Sequence, residues 1–180
     1  MNTLNPPVAT APRKPTWRFL FAHPAHLLAL GFGSGLSPVA PGTVGTLWAW
    51  LAFLVLQPQL RPLHWVVLQT LIFFVGWWAC TVEARKLAVA DPGAIVWDEV
   101  LAFWLVLTLV MPAGFLAQLA AFALFRFFDA VKPGPVAWAD AAFKGRRGAP
   151  IGWAQGFGIL FDDLVAALCT LLVIALWRVL

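Results

Sequence analysis

Residues 96–125 read VWDEVLAFWLVLTLVMPAGFLAQLAAFALF: two adjacent carboxylates, Asp98 and Glu99, open a stretch that carries no charge from 100 to 125. An ionised carboxylate at the edge of lipid or of a packed apolar interior costs on the order of several kcal/mol to desolvate without a partner. Two adjacent carboxylates also repel each other unless cations gather nearby. The run itself fits either one long kinked span or a hairpin turning at Pro112-Ala113-Gly114. Each arm of a hairpin, about twelve residues, rises only ~18 Å, short of a full bilayer crossing. Asp162-Asp163 repeats the paired arrangement in the last apolar stretch, and Asp129 follows the central run.

The composition around this stretch is that of a membrane protein. Of 180 residues, 62% are hydrophobic and 11% charged, with 11 tryptophans; a soluble domain carries about twice that charge. No alternating ten-residue pattern suggests a barrel, so the expected fold is all-α, a membrane-embedded bundle of short apolar helices with a Gly-rich loop. The net charge of +4 comes without a basic patch interleaved with aromatics, which points away from nucleic acid and toward anionic lipid. Cys80 and Cys169 lie in apolar stretches and read as buried thiols. Arg13, Lys14 and Arg18 precede a short apolar run that His23-Pro24 interrupts, and no cleaved targeting segment is expected.

In chain order, residues 1–16 hold four prolines and read as a mobile tail, with one domain over 17–180. Residues 17–30 predict a short interfacial helix. Gly31–Thr46 is too rich in glycine and proline for regular structure. Apolar segments follow at Thr43–Leu56, Leu63–Cys80 and Ile159–Leu180, with a turn at Asp91-Pro92-Gly93 and a polar loop over 130–156. No internal repeat is visible.

With a hairpin over 100–125, all of the twelve lysines and arginines except Arg61 and Arg178 fall on the face that carries the N-terminus. The positive-inside rule makes that face cytoplasmic. All eight acids and the Gly-rich loop share it. A single span would scatter these charges, which favours the hairpin.

Asp98, Glu99, Asp129, Asp162 and Asp163 supply oxygen donors with no histidine or cysteine beside them, a set suited to Mg²⁺ or Mn²⁺. Adjacent residues on a helix point about 100° apart, so one acid of each pair faces a shared site and the other serves as a supporting acceptor or a partner for Arg or Lys. The competing reading is a set of bundle-locking pairs such as Arg126 with Asp129 at i, i+3. Gly42-Thr43-Val44-Gly45-Thr46 opens a helix, where free N–H groups favour phosphate, although glycines there also serve close packing. Lys132 adds a cation at the same face. No thiolate phosphate loop surrounds Cys80, and His23, His26 and His64 lack the context of a phosphohistidine enzyme.

Four stretches resemble the phosphatidylglycerophosphatase A family, in its order and at similar separations: GFGSGLSPVAPGTVGT (31–46), IVWDEV (95–100), FRFFDAVKPGPV (125–136) and ILFDDLVA (159–166). The resemblance spans roughly residues 22–175. It implies a Mg²⁺-dependent lipid phosphatase of a bacterial inner membrane, which hydrolyses the terminal phosphate of phosphatidylglycerophosphate to give phosphatidylglycerol. On that reading Asp98, Glu99, Asp129, Asp162 and Asp163 hold the metal, which polarises the phosphate and acidifies an attacking water. Gly42, Thr43, Gly45 and Thr46 contact phosphate oxygens, with Arg126 and Lys132 neutralising charge. The loop over 145–158, with Arg146 and Arg147, is longer than the family pattern. Two alternatives stay open: another membrane enzyme of lipid phosphates, and a transport or structural subunit whose acids line an ion path.

Overall fold

The computed structural model describes residues 15–143 and 150–180, and among them there are helices and no strand. The expected N-terminal tail (but for its last two residues), and Lys144, Arg146 and Arg147, lie outside the described residues. The helices are α1 (Trp17–Leu20), α2 (Pro24–Ala29), α3 (Pro41–Leu56), α4 (Pro62–Leu87), α5 (Trp97–Val110), α6 (Phe115–Val131), α7 (Pro135–Ala142) and α8 (Trp153–Val179). Proline occupies the first position of α2, α3, α4 and α7, where its fixed φ suits the helix and its missing N–H is not needed.

The stretch that opened the sequence reading becomes the centre of the molecule. Helix α5 buries Trp97 to Trp104 without a break, and Val106, Leu107 and Val110 beyond. A helix apolar on every side must be enclosed on every side, and α3, α4, α6 and α8 all pack against it or against one another around it. The run 100–125 is indeed a hairpin, turning at 111–114. Tryptophan N–H groups tie the enclosing helices to the centre: Trp97 donates to the Ile72 carbonyl at 3.1 Å and Trp104 to that of Ala49 at 2.7 Å. Trp50 donates to Gln118 Oε1 at 2.7 Å. Each such bond satisfies a buried donor that apolar packing alone would strand.

The outer faces remain apolar. Leu51, Val55, Val67, Leu71, Leu116 and Leu172 are all more than half exposed, and α4 and α8 are each long and apolar enough to cross a membrane.

Four segment boundaries differ from the sequence expectation. Residues 17–30 form two helices rather than one, because Pro24 forces His23 into an extended conformation (φ −158°, ψ 143°). The Gly-rich stretch is more regular than expected: a 3-10 turn covers Gly31–Leu36 and α3 starts at Pro41. The expected loop over 130–156 contains α7, whose Val136 and Ala139 are buried three residues apart. Helix α8 starts at Trp153, six residues earlier than its apolar run.

Glycine explains much of the second difference. A Cβ on Gly31 would lie 2.6 Å from Val96 Cγ2, and one on Gly45 would lie 2.6 Å from Val96 Cβ. The 3-10 turn and α3 therefore press against the residue just before Trp97-Asp98-Glu99, and the Val96 N–H bonds the Ala29 carbonyl at 2.9 Å. The glycines seat the start of α5.

Candidate active site

Asp98 and Glu99 occupy the first turn of α5, where the helix dipole favours negative charge. Asp163 faces them from α8. One carboxylate oxygen from each of the three lies within 4.8 Å of the others, and their exposures are 9%, 7% and 3%. Asp98 Oδ1, Glu99 Oε2 and Asp163 Oδ2 are buried without a hydrogen-bond partner. Asp129, from the end of α6, stands within hydrogen-bonding reach of Asp163. Arg126 pairs with Asp129, and its Nη1 is 3.6 Å from Glu99 Oε1. Four carboxylates thus share one guanidinium, an imbalance that a low-dielectric site tolerates poorly. An all-oxygen donor set with three orphaned atoms fits a hard divalent cation.

The second acid of the α8 pair is placed elsewhere. Asp162 turns away from the cluster and, with Asp140 of α7, grips the Lys132 ammonium. Burial opposes the charge on Lys132, but its contacts with Asp140 and Asp162 outweigh that and hold the ammonium above the usual lysine range. Lys132 is in turn committed to these two acids. The α5 pair behaves differently, since both Asp98 and Glu99 join the cluster.

The start of α3 supplies the opposite wall. A Cβ on Gly42 would collide with Glu99 Oε1 and come within 3.2 Å of both Arg126 Nη atoms, so only glycine lets the backbone approach this edge. Val44 is the first residue of the turn whose N–H is paired, to the Ala40 carbonyl at 3.1 Å. The N–H groups of Gly42 and Thr43 precede it at the helix end. Thr46 is buried, donates to the Gly42 carbonyl at 2.8 Å and lies 3.4 Å from Arg126 Nη1, a position that steadies the arginine. Gly45 faces Val96 and not the cluster. Of the residues read from sequence as phosphate contacts, Gly42, Thr46 and Arg126 border the acids, Thr43 sits on the same turn, and Gly45 and Lys132 serve other contacts.

Two features escaped the sequence reading. Asp140 shares Lys132, from a helix that the Gly/Pro-rich composition concealed. His26 Nδ1 pairs with Glu83, and Glu83 is fully buried on α4. The two are 57 positions apart, and no local pattern links them. Cys80 and Cys169 are free thiols; the first is buried and the second half-buried.

The sequence profile of the family described as phosphatidylglycerophosphatase A matches residues 27–178. A protein of Haemophilus influenzae named phosphatidylglycerophosphatase A is 36% identical over 160 residues, 89% of this chain and 92% of its own. One of the same name from Escherichia coli is 39% identical over 152 residues, 83% of this chain and 80% of its own. A Bacteroides thetaiotaomicron protein, provisionally named a phosphatidylinositol-3-phosphatase, is 39% identical over 84% of this chain and 92% of its own. No solved structure matches.

Proposed function

Because the chain belongs to the phosphatidylglycerophosphatase A family, we propose that it hydrolyses the terminal phosphate monoester of phosphatidylglycerophosphate to give phosphatidylglycerol, with Mg²⁺ as cofactor. The observation that carries this reading is the convergence of Asp98, Glu99 and Asp163 with three buried, unpartnered oxygens. These three hold the ion, with Asp129 adjoining. A divalent cation there supplies charge neutralisation on the transferring phosphoryl group, the main resource for so slow a reaction.

The chain's own groups position the phosphate. Arg126, bordering Glu99 and fixed by Asp129 and Thr46, presents guanidinium N–H groups to phosphate oxygens. The bare Cα of Gly42 lets the first N–H groups of α3 approach the same oxygens. Asp129 is tethered by Arg126 at a fixed place beside Asp163. Burial of Asp98, Glu99 and Asp163 limits bulk water at the metal-holding oxygens, while the half-buried Arg126 and Gly42 leave a way in for the phosphate.

The protein is read as a multi-pass protein of a bacterial inner membrane with the acid cluster on the cytoplasmic side. The positive-inside count supports that orientation, and the two helices long enough to span support the membrane location.

The deciding experiment measures phosphate release by purified protein from phosphatidylglycerophosphate and from phosphatidylinositol 3-phosphate, with Mg²⁺ or with chelator. Turnover of the first substrate that requires Mg²⁺ is expected. Preference for the inositol lipid would move the reading to the activity named for the Bacteroides relative. Full turnover in excess EDTA after dialysis would remove the metal.

A further inference from the structure

A second recess, largely apolar with basic groups on its wall, lies at the junction of α1, α2 and the last turns of α4 and shares no residue with the acid cluster. It is an open cleft of about 580 Å³ whose lining includes Phe19, His23, His26, Val82, Arg85 and Lys86. Every ionisable group on its wall is basic. The nearest acid, Glu83, is fully occluded behind His26 and paired with it. His23 Nδ1 accepts from the Ala25 N–H at 3.1 Å, capping α2. The ring proton therefore sits on Nε2, which is left as a donor. Arg85 is held in place: its Nε donates to the Ile151 carbonyl at 2.8 Å, and its guanidinium lies over Trp153, 5.9 Å from the ring centroid. Lys86 is exposed and makes no ion pair among the described residues. Trp17 and Phe21, on and just after α1, are 63% and 73% exposed on the segment that also supplies Phe19 and Ala22 to the cleft, as aromatic anchors at a bilayer surface are.

We propose that this cleft binds the phosphodiester headgroup of an anionic phospholipid, at a site separate from the acid cluster. The charge on the wall calls for an anion, and the volume and the apolar side made by Phe19, Ala22 and Val82 call for one attached to a glycerol backbone. Inorganic phosphate would leave most of that space unfilled. The inference needs this end of the bundle at a membrane surface and does not depend on the hydrolysis reading.

The test uses full-length protein in detergent. Retention of dioleoylphosphatidylglycerol and of dioleoylphosphatidylcholine is counted by native mass spectrometry for the parent, for Lys86→Glu and for His23→Asn. The last keeps a cap acceptor for the Ala25 N–H and replaces the outward imidazole donor with a shorter amide that does not reach the place of Nε2. Because phosphatidylglycerol is also the proposed product, preference by the parent is required but the loss between parent and variant is what decides, and neither variant touches the acid cluster. The parent should retain phosphatidylglycerol over phosphatidylcholine. In phosphatidylglycerol retention, Lys86→Glu, which reverses a charge, should lose more than the roughly fivefold that one basic group is worth at a membrane surface. His23→Asn, which loses a neutral hydrogen bond, should lose about threefold, and both should leave phosphatidylcholine and turnover unchanged. Equal retention by parent and variants, or equal retention of the two lipids, overturns the site. Displacement of the lipid by inorganic phosphate overturns the lipid assignment and leaves a simple anion site.

Discussion

Asp162 and Asp163 are chemically identical neighbours with opposite surroundings, and that contrast makes a sharp test. Asp163 sits among like charges, so Asp163→Asn relieves repulsion in metal-free protein. Asp162 sits against Lys132, so Asp162→Asn weakens a buried attraction. Differential scanning of the two apo variants is therefore expected to show a raised melting temperature for Asp163→Asn and a lowered one for Asp162→Asn. Turnover should fall by orders of magnitude for Asp163→Asn. A lowered melting temperature with activity retained would make Asp163 a structural acid. The two glycines of the α3 turn separate in the same way. Gly42→Ala drives a methyl into Glu99 and Arg126, so kcat should fall at least tenfold. Gly45→Ala drives one into Val96 and should cost stability, about 1–3 kcal/mol for an overpacked contact, read by thermal melting in detergent.

Between elements, the seam of α4 with α5 decides where the acids sit. Gly76 packs against the Trp97 indole, and that indole N–H reaches the Ile72 carbonyl. Gly76→Ala must displace Trp97, the residue immediately before Asp98. Isothermal titration with Mn²⁺ is expected to show weaker binding in this variant than in the parent, although residue 76 lies outside the cluster; unchanged affinity would uncouple the seam from the site. Much of this arrangement was legible in the sequence. Charge placement picked out the hairpin over 100–125, and the acids at the ends of apolar segments picked out the cluster. Rotation about a helix axis was not legible, because 100° between neighbours leaves open which of Asp162 and Asp163 faces inward. Packing against α7 decides that, through Asp140 and Lys132. The purpose of the glycines was also hidden. Gly31 and Gly45 answer to Val96, fifty and more positions away, and only Gly42 borders the acids.

For the molecule as a whole, charge asymmetry implies an orientation that labelling can check. In a Cys80→Ala, Cys169→Ala background, cysteine at Lys86, near the site end of α4, should react with impermeant thiol reagents from the cytoplasmic side only. Cysteine at Arg61, where α4 begins, should react from the opposite side; the reverse pattern would invert the topology. The central helix carries a further consequence. Helix α5 has 14 residues, a rise of ~21 Å against a hydrocarbon core of ~30 Å. Helices α4 and α8, with 26 and 27 residues, reach ~39 Å or more. Asp163 lies ten residues into α8, so the long helices overshoot the acids and the site is sunk below the level of their ends. Lipid meets the long helices and hardly touches the enclosed α5, so the bilayer adjusts to α4 and α8, by tilt of the molecule or local thickening, and the acids stay below the headgroup level. A thinner bilayer brings its headgroups closer to the depth of the acids. Reconstituted into vesicles of graded acyl length, the protein should turn over faster in thin bilayers than in thick ones.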